Sequence, residues 1–267
     1  MDYWLYEIPL WTNIILFLAL LLIPMEMGFQ IGIRKHRLHS DTERVARADV
    51  TLTSMLALLG LMLAFTYAFS MSRADLRKQA FTAEVNAIGT AFLRADLAQE
   101  PGRTDLRERL LDYAKSRIVA PGTVKSRQEL QEVVDRSLAA QAKIWPATKA
   151  VVQQKKGMSE PLKASLVQAV NDVLDIHTTK MAVIYDRLPL AVMTLLLLIA
   201  AVAIFLAAYN LGLRGHICRW QMGAFALILA ALIFLILDFD LIQRGFIQIP
   251  QDSLFDLIET MEASLKE

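Results

Sequence analysis

Glu26 is the first side chain in this sequence equipped for chemistry. It lies in Leu21-Leu22-Ile23-Pro24-Met25-Glu26-Met27-Gly28-Phe29, a few residues before the basic run Arg34-Lys35-His36-Arg37. A carboxylate at that depth in an apolar helix is costly, so it is expected to face protein or water and to hold a partner. Thr51, Thr53, Ser54, Tyr209 and Asn210 fall at the same depth. Such a group is either an ion or proton site or a hydrogen-bonded tie between helices, and the tie is the favoured expectation. A second group gathers Asp238, Asp240 and Arg244 at the end of the last apolar run, level with Arg73 and Arg187. Acidic side chains at a membrane mouth attract cations. The plainer expectation is interfacial ion pairing that fixes helix ends, each pair worth little.

A third group is apolar. Leu61, Phe65 and Phe69 recur at i, i+4 and i+8, with Gly60 and Ala64 beside them. Around a symmetry axis such a stripe makes a hydrophobic constriction that gates by dewetting; within one chain, helix packing is the favoured reading. Histidines offer less. His36 and His39 stand near Asp41 and Glu43 without further metal ligands, and His177 falls on an apolar helical stripe, where a hydrogen-bonded core histidine is expected. His216 beside Cys218 has neither the partner nor the cleft that a catalytic thiol needs. Phosphate-loop, dinucleotide and Gly-x-Ser-x-Gly signatures are absent. The chain is expected not to be an enzyme and to carry no metal or other cofactor.

The elements that must position these residues are four apolar runs, Trp11–Ile33, Leu52–Met71, Leu188–Leu213 and Met222–Leu237. About 20 helical residues cross a hydrocarbon core about 30 Å thick, and only helices or closed barrels survive there. No run alternates with period two, so each predicts a helix. The fold class is therefore all-α: a polytopic membrane protein with four transmembrane helices and a helical extramembrane domain between spans two and three. The expected divisions are a first hairpin at 1–71, the extramembrane domain at 72–187, a second hairpin at 188–240 and a short tail at 241–267. A composition 55% hydrophobic and 21% charged suits a membrane protein, and a net charge of +1 gives no reason to expect a nucleic-acid partner. The single Cys218 excludes an intramolecular disulfide.

Loop charge predicts orientation. Arg34, Lys35, Arg37, Arg44 and Arg47 follow the first run, and Arg214 and Arg219 separate the third and fourth. Short positive loops stay in the cytoplasm. The termini and the large insert are thus expected outside, on the periplasmic side of a bacterial inner membrane. Tyr3, Trp4, Tyr6 and Trp11 would anchor the outer face and Trp220 the inner one.

The insert reads as helix throughout. The second run continues into it without a breaker, with Phe81, Val85, Ile88 and Phe92 on one face. Pro101-Gly102 ends that helix, and Thr104 is expected to cap the next, with Leu106, Leu110, Ala114 and Ile118 inward. A capping box at Ser126–Glu129 opens a third, with Leu130, Val133, Val134, Leu138 and Trp145 inward. Ser159 is expected to cap a last helix through Leu166, Val170, Val173 and Met181 into the third run, kinked at Pro189.

The segment Phe65-Thr66-Tyr67-Ala68-Phe69-Ser70, followed by Glu84-Val85-Asn86-Ala87-Ile88-Gly89-Thr90 and Leu93-Arg94, resembles the bacterial bestrophin-like family of uncharacterised membrane proteins. Leu110-Leu111-Asp112-Tyr113 and Glu26-x-Gly28 fit the same pattern, and Val85 stands where the family has Ala. The most specific residues are Glu84, Asn86, Gly89 and Thr90. The resemblance implies a relation to bestrophins, pentameric anion channels whose second span narrows the pore, and by that analogy Leu61, Phe65 and Phe69 form the neck. Asp238-Phe239-Asp240 with Gly245-Phe246 only loosely resembles the family's tract after span four, since Pro-Phe-Gly is missing. Bestrophins keep their helical part in the cytoplasm, whereas the loop charges here place it outside; those charges belong to this chain and set the expectation. Two functions follow: an oligomeric ion channel lined by span two, or a non-conducting membrane sensor or scaffold whose extramembrane helices bind a partner. The partners expected are the lipid bilayer, further copies of the chain and inorganic ions.

Overall fold

A computed structural model describes residues 10–38, 42–119, 127–154, 158–186, 188–215, 219–240 and 249–266. Among them the regular structure is helical: α1 (Leu10–Leu38), α2 (Thr42–Ala95), α3 (Gly102–Ser116), α4 (Arg127–Gln141), α5 (Ile144–Val152), α6 (Glu160–Tyr185), α7 (Leu190–Leu213), α8 (Arg219–Asp240) and α9 (Asp252–Lys266). Four of these, α1, α2, α7 and α8, are long and apolar enough to cross a membrane. The chain divides into two compact units, Met1–Arg73 with Arg187–Leu241, and Ala74–Asp186 with Ile242–Glu267.

In the first unit α1 and α7 approach closely because glycine sits where they meet. A Cβ on Gly28 would lie 2.3 Å from the Phe205 carbonyl oxygen, and one on Gly32 would lie 2.3 Å from that of Tyr209. Gly212 faces them from α7, where a Cβ would meet the Phe29 carbonyl oxygen at 2.7 Å. Small residues four apart let helix backbones touch in lipid, where van der Waals packing drives association. Phe17 and Leu21 of α1, Leu196 and Ile204 of α7, and Ile233 and Leu237 of α8 fill the core around them. The second span takes little part: 11% of its apolar window is buried, against 44% for α8.

The second unit is a helical bundle around the inward face of α2. Phe81, Val85, Ile88 and Phe92 are buried as their spacing predicts, against Leu106, Leu110 and Ala114 of α3 and Leu166, Val170 and Val173 of α6. Three local expectations change. The first turn of α3 is held by Glu100, whose carboxylate accepts from the Thr104 backbone N–H at 3.2 Å and hydroxyl at 2.8 Å, so Thr104 is not the cap. The third predicted helix is two, α4 and α5, with Leu138 and Trp145 exposed. Pro146 explains the break, because it has no N–H for the Ala142 carbonyl. Finally, α6 stops at Tyr185 and α7 starts after Pro189, a clean interruption in place of a kink. Ser126, expected to open the capping box, lies outside the described residues.

Residues 252–266, read as part of a tail, form α9 and complete this bundle. Leu254, Ile258 and Met261 are buried. Polar contacts fix the helix: the Gln251 side chain exchanges hydrogen bonds with the Val119 backbone at 3.1 and 2.6 Å. Arg107 donates to the Ser264 carbonyl at 3.0 Å while pairing with Asp96 at 2.9 Å.

Candidate functional site

In the first unit, α2 has two unlike faces. Leu59, Thr66 and Ser70 are buried, whereas Leu61, Phe65 and Phe69 are 53%, 62% and 62% exposed. Gly60 lies on open space. The Thr66 hydroxyl satisfies itself on the Met62 carbonyl at 2.7 Å, so its buried face needs no outside partner for that group. Tyr67 meets the edge of Phe239 of α8, with ring centroids 5.8 Å apart. The Arg73 guanidinium lies over the Phe69 ring at 5.8 Å. The three residues expected at the neck therefore share one apolar face that the chain's own fold leaves uncovered.

In the second unit, α2, α3 and α6 bring five polar residues into one buried centre. Glu84, 1% exposed, receives Lys180 Nζ at 2.5 Å on Oε2. On Oε1 it receives Arg117 Nε at 2.8 Å as an ion pair and the Tyr113 hydroxyl as a hydrogen bond at 2.9 Å. Tyr113 also lies 3.2 Å from His177 Nδ1. Burial pushes the Glu84 carboxyl up, but the Lys180 and Arg117 charges prevail and hold it below its ordinary value. Burial and the adjacent Glu84 charge raise the Tyr113 phenol. Burial and the Arg117 charge hold the His177 imidazole below its ordinary value, with Glu84 opposing them. Lys180 also covers the Phe81 ring at 4.9 Å.

Only Glu84 and Tyr113 of this centre fall in the motif strings. His177, expected as a satisfied core histidine, is satisfied on one nitrogen: Nε2 is buried with no hydrogen-bond partner. Asn86 and Thr90 are exposed, and a Cβ on Gly89 would press on Leu257 of α9 at 3.2 Å.

The remaining polar positions separate. Glu26 accepts from Gln30 one turn along its own helix at 3.1 Å. Asn210 pairs with Asp49 instead, and Arg214 grips the same carboxylate at 2.7 and 2.6 Å. Thr53 and Ser54 bond back to the carbonyls of Asp49 and Val50. Asp238 and Asp240 are both buried, and the Asp240 carboxylate accepts the Leu188 backbone N–H ahead of α7 at 3.2 and 3.0 Å. Arg187, Arg244, His39, His216 and Cys218 lie outside the described residues, so the expected charge cluster is represented here by Arg73 and the two aspartates.

Four spanning helices joined to a helical bundle define an all-α, multi-pass membrane protein. The Bestrophin-like domain profile matches residues 18–254, and the chain belongs to that family. No curated protein matches it. Among solved structures, a point mutant of a bacterial bestrophin homologue from Klebsiella pneumoniae is similar with a TM-score of 0.63 at 11% identity, covering 92% of this chain and 97% of that one. A second mutant of that homologue gives 0.61 at 14% identity, over 96% of each chain. Its zinc-phased structure gives 0.60 at 11%, over 95% of this chain and 96% of that one. At such identities the likeness establishes the shared fold.

Proposed function

We propose that this protein is an oligomeric ion channel, with the Leu61, Phe65 and Phe69 face of α2 turned toward the pore axis. The observation that carries the reading is the exposure of that apolar face while Thr66 and Ser70, on the other side of the same stretch, are buried. One such helix is merely lipid-facing; several around an axis enclose an apolar neck that excludes ions until it wets. Membership of the bestrophin-like family supports the same reading. The basic ends at Arg34, Lys35, Arg37 and Arg214 face the cytoplasm, which places the extramembrane helices on the outer side of a bacterial inner membrane. Glu26 acts in this reading as a helix-surface tie with Gln30, and Asp240 as the stop that fixes the start of α7.

The test is flux from vesicles loaded with chloride or potassium salts. The purified chain is expected to pass ions as an oligomer, and Leu61→Ala with Phe65→Ala is expected to raise the rate by widening the neck. A monomeric mass with no flux would overturn the reading in favour of a non-conducting sensor or scaffold. The exposed Leu93 near the end of α2 and Leu97 just beyond it would then be the surface to examine for a partner.

A further inference from the structure

The buried centre is built from opposed charges that do not cancel. Glu84 supplies one negative charge; Lys180 and Arg117 supply two positive ones, within 2.5 and 2.8 Å of its oxygens. His177 lies in the same centre, 3% exposed. Hydrogen bonding fixes its tautomer. Tyr113 has one hydroxyl proton, and its shorter contact, 2.9 Å, is to the Glu84 carboxylate. Its oxygen can then only accept from His177 Nδ1–H at 3.2 Å. The bare lone pair is left on Nε2, the atom that is buried without a partner. A proton arriving there would find no acceptor, and it would create a third cation in a region shielded from water, where charges interact strongly.

Among the described residues, the charged groups that act on the imidazole are Glu84 from α2, Arg117 at the C-terminal end of α3 and Lys180 from its own helix, with Tyr113 of α3 hydrogen-bonded to it. From α4, Ser137 bonds to the Ser116 carbonyl and Gln141 to that of Leu174. We propose that this centre is an acid-released latch: a proton taken from solvent onto His177 Nε2 breaks the balance around Glu84 and frees α3 and α6 from α2. The latch stands whether or not the protein conducts, and it acts on the helix that also carries Phe65 and Phe69.

Linkage sets the direction. The folded imidazole is held below its ordinary value of 6.5, so the closed centre is favoured above that pH and loses ground as pH falls through it. Opening becomes about tenfold easier per pH unit until the folded value is reached.

The experiment is hydrogen exchange by mass spectrometry on the full chain in lipid discs, at about pH 7.5 and about pH 5.5, corrected for the intrinsic pH dependence of exchange. Amides of α3 and of α6 around His177 are expected to lose up to about tenfold of their protection at the lower pH. His177→Gln, which cannot take up the proton, is expected to keep its protection at both. Lys180→Met is expected to shrink the effect, because it removes one of the charges that oppose protonation; a merely structural role for Lys180 would lower protection equally at both pH values. Wild-type protection that does not depend on pH, or a full acid effect in His177→Gln, would overturn the latch. If His177→Gln does not fold, the wild-type and Lys180→Met pair decides alone: an equal acid effect in both rejects the proposal.

Discussion

Glu84 is the anion on which the polar core of the extramembrane unit depends. Removing one partner of a buried ion pair strands the other charges, and that costs about 3–5 kcal/mol. Glu84→Gln is therefore expected to lower the thermal midpoint in detergent sharply, through stranded Lys180 and Arg117. Tyr113→Phe removes one donor to Glu84 and the acceptor of His177 Nδ1–H but leaves the ion pairs, so a smaller loss of about 1–3 kcal/mol is expected; equal losses would contradict the ranking. Acid should weaken the unit in two separate steps. His177 withdraws its contribution below 6.5. Glu84, held under its ordinary 4.5, contributes in full above that value and loses its contribution progressively as the pH falls from there to the depressed one. A thermal-midpoint profile of His177→Gln is expected to lose the first step and retain the second. The motif strings exposed Glu84 and Tyr113 to sequence reasoning. Lys180 carried no local signal, since 96 residues separate it from the carboxylate it neutralises. Arg117 likewise carried no local signal, since 33 positions separate it from Glu84 and the fold brings the two together.

Helical periodicity made most elements legible. The stripes Phe81–Phe92, Leu106–Ala114 and Leu166–Val173 are buried where their spacing puts them, and α2 runs unbroken from its apolar stretch into the extramembrane unit. The errors occurred where a single residue overrides the period: Pro146 splits α4 from α5, and Pro189 separates α6 from α7. The helix α9 had a readable signal in Leu254, Ile258 and Met261, an amphipathic spacing easily passed over at a chain end. The α1–α7 crossing leads to a sharper expectation. Gly32→Leu would drive a side chain into the backbone of α7. Overpacking costs about 1–3 kcal/mol and often more where backbone must move, so the thermal midpoint should fall. Gly223→Ala, with nothing within 4 Å of the added carbon, is the matched control and is expected to fold normally. A tolerant Gly32→Leu would show that the two helices do not meet through these glycines.

For the whole molecule, the uncovered face of α2 and the basic ends of the spans set the two remaining expectations. Single cysteines introduced in the second unit on a Cys218→Ser background are expected to react with an impermeant thiol reagent from outside intact cells. Labelling from the cytoplasmic side alone would reverse the orientation. That the four spans were legible follows from the length lipid demands; the proposed assembly was not, because contacts between copies leave no spacing signature within one chain. The most direct measurement is ion flux through Phe65→Cys, on the Cys218→Ser background, before and after a charged thiol reagent. A pore bounded by this face should conduct and then close on modification. Steady flux with the cysteine fully labelled, or no flux from protein that is otherwise folded and oligomeric, would contradict it.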